Sequence, residues 1–97
     1  MTLKEANRRL NKLGYNIRSE KMTNYDTSKT SYDTWVEYKR KNGSWGIEST
    51  VGRYDTQEES VAKAASWLKT YTGGRIDITK GERTVALQSK TLGNSNS

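Results

Sequence analysis

The stretch YDTWVEYKRKNGSWGIESTVGRYDTQEESVAKAASW, residues 32–67, contains the clearest hairpin signal, the clearest helix start and all three tryptophans. Asn42-Gly43 is a preferred two-residue turn of type I′ between antiparallel strands. Such a turn sets the register of both strands and therefore assigns their side chains to faces. Three predicted cross-strand pairs face the core: Arg40–Trp45, Tyr38–Ile47 and Val36–Ser49. Three others face solvent: Lys39–Gly46, Glu37–Glu48 and Trp35–Thr50.

A helix is predicted directly after this hairpin. Asp55 or Thr56 can cap it, and the acidic first turn suits the helix dipole. Gly73-Gly74 ends it. The predicted buried stripe consists of Val61, Ala64, Ala65 and Leu68, with Trp67 and Tyr71 at its edge.

The amino-terminal residues predict another helix, because Thr2 and Glu5 form a capping box and Gly14 is a favoured C-terminal cap. Its apolar stripe is Leu3, Ala6, Leu10 and Leu13. The following elements are predicted in chain order: a strand over Tyr15–Met22, a polar loop over Thr23–Thr30, and, after the second helix, a hairpin formed by Arg75–Thr79 and Thr84–Leu87.

These elements predict an α+β fold with one helix, a three-stranded antiparallel meander, a second helix packed on the sheet and a C-terminal hairpin. We expect residues 1–87 to form a single compact domain, because a chain of this length supports one modest core. Residues 88–97 have almost nothing to bury and are predicted to be a disordered polar tail.

The composition narrows the chemistry that the chain can perform. It contains neither cysteine nor histidine, which excludes thiolate and imidazole catalysis and the common zinc sites. No motif arranges the remaining reactive side chains, so we expect a binding protein rather than an enzyme, with no cofactor, no metal and no small-molecule substrate. The sequence shows neither a membrane-spanning run nor a secretion leader, which predicts a cytoplasmic protein without a membrane partner.

The net charge of +6 favours a polyanionic partner and is concentrated toward the ends of the chain. Residues 1–22 carry six basic and two acidic side chains, whereas residues 23–74 carry seven of each. We therefore predict a small basic DNA-binding or accessory protein that uses the exposed sheet face and the first helix. The residues predicted to contact duplex DNA are Trp35, Lys39 and Lys41, with Arg18, Arg8, Arg9 and Lys12 on phosphates.

One predicted pair opposes this interpretation. Glu37 directly across from Glu48 would place two carboxylates on the DNA-binding face, which is unfavourable unless a cation lies between them. Arg18 on the neighbouring strand is the candidate for that cation.

The run from Val51 to Ala64, VGRYDTQEESVAKA, resembles the end of an AP2-type DNA-binding domain and of the related arm-type domains of tyrosine recombinases. Those families share a Gly-x-aromatic-x-Thr-x-Glu-Glu pattern that enters an alanine-rich helix. The resemblance covers Asp33 to Leu68 and implies a three-stranded sheet that reads DNA and packs on one helix. The element order is also similar to a double-stranded-RNA-binding domain, but Gln57-Glu58-Glu59 occupies the position of that family's phosphate-clamping lysines.

The alternative prediction is a small protein-binding module or inhibitor, of the type that a phage or mobile element directs at a host protein. Tryptophan and tyrosine are enriched among the residues that dominate protein interfaces. The residues predicted for this role are Trp35, Trp67 and Tyr25.

Overall fold

The second helix packs across one face of a three-stranded antiparallel sheet, and the first helix lies against the first strand and against the second helix. The computed structural model describes residues 1–80. The elements are α1 (Leu3–Leu10), a 3₁₀ turn (Asn11–Leu13), β1 (Tyr15–Asn24), β2 (Lys29–Lys39), β3 (Trp45–Tyr54), α2 (Gln57–Tyr71) and a second 3₁₀ turn (Ile78–Lys80). The strand order β1-β2-β3 is that of a meander, and the predicted α+β architecture is confirmed.

The predicted helix caps are present. The Thr2 hydroxyl accepts a hydrogen bond from the Glu5 N–H at 3.1 Å, and the Glu5 carboxylate accepts one from the Thr2 N–H at 3.4 Å. Of the two candidate caps for α2, Thr56 is the one used, accepting from the Glu59 N–H at 3.1 Å. These bonds satisfy backbone donors that the first helical turn leaves without partners.

The core lies between the sheet and the two helices. It is formed by the buried side chains of Ala6, Leu10, Ile17, Val36, Val61, Ala64, Ala65, Leu68, Ile76 and Ile78. The predicted stripe of α2 is therefore confirmed. In α1, Ala6 and Leu10 are buried and Leu3 packs at the margin of the core, as does Leu13 of the following 3₁₀ turn.

A chain of hydroxyl groups crosses the contact between α2 and the sheet. Ser60 is fully buried, and its Oγ lies 2.7 Å from Ser19 Oγ and 2.5 Å from Thr34 Oγ1. The Thr34 hydroxyl donates to the Tyr32 carbonyl at 3.1 Å. Since each hydroxyl has one proton, Thr34 accepts from Ser60 and Ser60 accepts from Ser19. The small side chain of Ser60 allows α2 to approach the sheet closely. The sequence pattern did not predict this role of Ser60.

The prediction of a polar loop over Thr23–Thr30 is wrong. Strands β1 and β2 continue through Thr23↔Thr30 and Asn24↔Lys29, which leaves a tight turn at residues 25–28. The Asn24 side chain makes this turn possible, because its Oδ1 accepts from the N–H groups of Asp26 (2.9 Å) and Thr27 (3.3 Å). We call residues 22–31 the ribbon, since β3 ends opposite Tyr32 and leaves only two strands there.

The predicted register at the β2–β3 turn is wrong by one residue. The loop contains three residues, because the Arg40 N–H donates to the Ser44 carbonyl at 2.8 Å and the Gly43 N–H to the Arg40 carbonyl at 2.9 Å. Gly43 has φ 90°, whereas Asn42 does not adopt the positive φ that a type I′ turn requires. The resulting pairs are Lys39↔Trp45, Tyr38↔Gly46 and Glu37↔Ile47.

Two irregularities of the ladder change the register again further along β3. Glu48 lies between the residues that pair with Glu37 and Val36, and this extra residue restores the predicted pairs Val36↔Ser49 and Trp35↔Thr50. Val51 is a second extra residue, after which Thr34 pairs with Gly52. Between the turn and the first irregularity, the observed register places Trp45 and Ile47 on the face away from α2, contrary to the sequence prediction.

The first strand of the predicted C-terminal hairpin, Arg75–Thr79, does not form. Ile76, Asp77 and Ile78 are consecutive buried residues, and the chain ends the described region in a 3₁₀ turn instead of a strand. Both isoleucines belong to the core, so packing against the helices overrides their alternating pattern. The second half, Thr84–Leu87, and the predicted tail lie outside the described residues.

Candidate nucleic-acid interface

The sheet face away from α2, which we call the outer face, brings together side chains from all three strands. Cross-strand pairing sets them in rows: Lys39 beside Trp45, Asn16 beside Glu37 and Ile47, Arg18 beside Trp35 and Thr50, and Glu20 beside Asp33 and Arg53. Trp35 and Trp45 are half-buried, and Ile47 is 65% exposed. The outer face thus combines aromatic and aliphatic surface with charged groups.

Two cations lie over the two tryptophans of this face. The Arg18 guanidinium is 5.5 Å from the ring centroid of Trp35, and the Lys39 ammonium is 6.0 Å from that of Trp45. Such contacts are worth about 0.5–1 kcal/mol at exposed sites. They orient positive charge above an aromatic surface, which suits contact with a nucleic acid.

Arg18 and Arg53 are also held by carboxylates. Arg18 Nη2 lies 2.6 Å from Glu20 Oε2, and Arg53 Nε lies 2.7 Å from Asp33 Oδ1. The hydrogen bond from Arg53 lowers the pKa of the Asp33 carboxyl below its ordinary value. By contrast, neither Lys39 nor Lys41 forms an ion pair with any residue between positions 1 and 80. The cations available to a ligand are therefore at the β2–β3 turn.

The predicted like-charge pair between Glu37 and Glu48 does not form. Glu37 is on the outer face, where it accepts from Asn16 Nδ2 at 2.9 Å and lies 3.9 Å from Arg18. Glu48, the extra residue of β3, accepts instead from the Tyr71 hydroxyl of α2 at 2.6 Å. This hydrogen bond raises the pKa of Tyr71. The like-charge pair is therefore absent, and the carboxylates that do lie on the outer face are Glu20, Asp33 and Glu37.

A backbone contact joins the basic first helix to the basic turn. The Lys39 N–H donates to the Gly14 carbonyl at 2.9 Å, so the end of the first 3₁₀ turn lies beside the end of β2. On α1 and this turn, Lys4, Arg8 and Lys12 are all exposed, and their spacing of four places them on one side of the helix. We call Lys4, Arg8, Lys12, Lys39 and Lys41 the basic strip.

Arg9 is not part of the basic strip, although the sequence analysis placed it among the phosphate contacts. Its Nη1 donates to the Ile78 carbonyl at 3.1 Å, and its Nε is buried. Its position in the sequence indicates why: Arg9 is three residues after the buried Ala6 and next to the buried Leu10. Arg9 therefore connects α1 to the last described turn.

The residues of the alternative, protein-binding prediction lie far apart. Trp67 is on α2, where its ring stacks on Tyr71 with a centroid distance of 4.8 Å, whereas Trp35 is on the opposite side of the sheet. Tyr25 is at the tip of the ribbon and is 93% exposed. These three side chains do not form one surface.

Neither a membrane span nor a metal cluster is found in the part of the chain that the structure describes. No helix there is both long and apolar enough to cross a bilayer. The same residues contain no group of three or more acidic side chains placed to hold a metal ion.

Comparisons of the chain with protein-family models, with curated proteins and with solved structures gave no match.

Proposed function

We propose that this protein binds duplex DNA through the basic strip and the adjoining end of the outer face. The observation that carries the proposal is the Lys39–Gly14 hydrogen bond, which places the end of β2 beside the end of the first 3₁₀ turn. Exposed lysine and arginine side chains on neighbouring elements can neutralise several phosphates of a duplex. The resemblance of Asp33 to Leu68 to AP2-type domains implies the same sheet face.

The proposal gives the residues different roles. Lysines and arginines of the basic strip contact phosphates, which orient the protein without reading sequence. Trp45 and Trp35 lie further along the outer face, where aromatic side chains can meet base edges in the major groove. Beside Trp35 the face has an open hollow of about 550 Å³, lined also by Asp33, Thr50 and Arg53.

The first test is a fluorescence-anisotropy titration of a random 20-base-pair duplex at several salt concentrations. If about five cations of the basic strip each neutralise a phosphate, log K should fall against log[salt] with a slope near −4 to −5. Lys39→Glu combined with Lys41→Glu should abolish binding at moderate salt and leave the thermal unfolding midpoint unchanged.

The matched control is Lys63→Glu combined with Arg75→Glu, which changes the net charge equally at two exposed positions outside the basic strip. It should weaken binding far less than the Lys39–Lys41 double variant. If the two double variants lost affinity equally, DNA binding would depend on the net charge of the protein and not on the basic strip. Absence of binding by the wild-type chain at low salt would remove DNA as the partner.

A protein partner remains the second candidate, and the exposure of Ile47 favours it. Ile47 lies on the outer face next to Trp45 and Glu37, and an aliphatic side chain that is 65% exposed contributes nothing to phosphate binding. Ile47→Lys separates the two functions. It should strengthen DNA binding, because it adds a cation to the face, but it should abolish a protein contact that buries this side chain.

A further inference from the structure

Along the outer edge of β1, the backbone N–H and C=O groups of the first half have hydrogen-bond partners, whereas those of the second half have none within the described residues. The Ile17 N–H donates to Asn7 Oδ1 at 2.7 Å, and the Ile17 carbonyl accepts from Asn7 Nδ2 at 2.9 Å. The Tyr15 carbonyl accepts from Asn11 Nδ2 at 2.8 Å. The odd-numbered residues of β1 therefore direct their backbone groups away from β2.

The next edge-directed groups belong to Ser19, Lys21 and Thr23. Within residues 1–80, no side chain or backbone group outside the β1–β2 ladder bonds to the backbone of these three residues. The pairing of β1 with β2 has no register shift from Tyr15 to Asn24, so this open edge is regular. An unpaired regular edge is a template for another strand.

The opposite edge of the sheet differs. The extra residues Glu48 and Val51 interrupt the regular ladder of β3, and such bulges hinder the addition of a strand. In the described sheet, the longest regular open edge is therefore residues 19–24 of β1, since the part of β2 beyond the end of β3 comprises only residues 29–31.

We propose that this edge pairs with the same edge of a second copy of the chain, antiparallel and across a two-fold axis, so that two sheets become one sheet of six strands. Isologous pairing of this kind is the commonest route to a symmetric dimer. The proposal does not depend on DNA binding.

Charge selects the register of this pairing. A two-fold axis at Glu20 or at Lys21 would place identical charges directly opposite each other, which is unfavourable. An axis at Met22 places Met22 opposite the partner subunit's Met22 and Lys21 opposite the partner subunit's Thr23. An axis nearer the tip would leave fewer residues of the strand to pair, since β1 ends at Asn24.

The apolar side chains of the ribbon support this register. Met22 is 44% exposed, and pairing across the axis would bury its thioether against an identical group. Every residue of the ribbon from Met22 to Lys29 is exposed, so the ribbon receives no stabilisation from the core. A two-stranded ribbon is only marginally stable by itself, and added strands stabilise it.

Sedimentation velocity of the full chain from about 10 to about 500 µM tests the association, a range in which a weak dimer populates measurably. The wild type should shift from monomer to dimer as its concentration rises. Lys21→Pro should remain monomeric, because proline removes the edge-directed N–H without removing a bond to β2. Lys21→Thr, which keeps that N–H, should still form the dimer; circular dichroism checks that both variants fold.

A cysteine variant tests the register. Residues opposite each other in a non-hydrogen-bonded pair have Cα atoms about 4.5 Å apart, within the range of about 4.4–6.8 Å that a disulfide spans. Because the chain contains no cysteine, Met22→Cys should form a single disulfide-linked dimer on mild oxidation. Ser31→Cys is the control, since Ser31 pairs with Met22 from β2 and lies one strand away from the edge.

Three outcomes would overturn the proposal. The first is a wild-type chain that is monomeric throughout the concentration range. The second is a Lys21→Pro variant that dimerises as well as the wild type. The third is equal cross-linking of Met22→Cys and Ser31→Cys, which would indicate random collision.

Discussion

The two faces of the sheet are stabilised by different kinds of contact. On the face toward α2, Ile17 and Val36 are fully buried and meet Leu68 in the core. On the outer face, Arg18 and Arg53 form ion pairs that water reaches. Burial of apolar surface contributes far more free energy than exposed ion pairs do. The outer face can therefore be substituted with little loss of stability, as a binding surface requires.

The largest expected effect is on the free energy of unfolding, for which we compare one aliphatic side chain from each side of the sheet. Leu68→Ala should lower the free energy of unfolding by about 2–5 kcal/mol, because it leaves a cavity in the core. Ile47→Ala on the outer face should lower it by less than about 1 kcal/mol, since the residue is 65% exposed. Urea denaturation measures both variants, and similar losses would contradict the contrast between the faces.

The next largest effect is on the pH dependence of stability, to which the buried Asp77 and the outer-face Asp33 should contribute differently. Asp77 is 2% exposed. Burial by itself raises the pKa of Asp77, but hydrogen bonds from Thr79 and the Lys69 ammonium, 3.4 Å away, outweigh it and hold the pKa below its ordinary value. A carboxyl whose pKa is lower in the folded state contributes stability above its unfolded pKa and loses it as the pH falls through the folded pKa.

We therefore expect the unfolding free energy to decrease as the pH falls below about 4, the ordinary pKa of aspartate. Asp77→Asn should flatten this decrease and should cost about 1–3 kcal/mol at neutral pH, because the buried side chain loses its ion pair with the Lys69 ammonium. Asp33→Asn is the control on the outer face. Its pKa is also lowered, but the side chain is accessible to water and the variant should change stability much less.

The smallest expected effect concerns the hydroxyl chain between α2 and the sheet. Ser60→Ala removes the donor to Thr34 and the acceptor of Ser19, and it should cost about 1 kcal/mol in the unfolding free energy. Ser66→Ala, at an exposed position of the same helix, should be neutral or slightly stabilising because alanine favours the helix. Equal thermal midpoints for both variants would show that the hydroxyl chain is not stabilising.

Features that depend on neighbouring residues were predictable. The Thr2–Glu5 capping box, the left-handed Gly14 (φ 85°) and the Thr56 cap all rest on contacts within a few residues of the chain. The buried stripes of both helices follow from the helical period, and the antiparallel meander follows from the turn and the alternating strands. The fold class needed no more than these signals.

Features that depend on the exact geometry of a turn or on contacts between distant residues were not predicted. The length of the β2–β3 loop differs by one residue from the expected turn, and this difference moved Trp45 and Ile47 to the outer face and separated Glu48 from Glu37. The polar composition of residues 23–30 indicated a loop, although pairing across the ribbon makes most of them strand. Arg9 was expected at the surface, although its guanidinium bonds to Ile78, which is distant in sequence.

The sequence by itself determined the order and type of the helices and strands between Leu3 and Tyr71, because capping, turn formation and amphipathic periodicity are local properties. Tertiary structure alone decided that Trp45 and Ile47 lie on the outer face, because a register that differs by one residue places each side chain on the opposite face. It also decided that the end of the first 3₁₀ turn lies beside the end of β2, since the Lys39–Gly14 hydrogen bond continues the β1–β2 ladder there. The candidate interface thus depends on contacts between residues that are far apart in the chain.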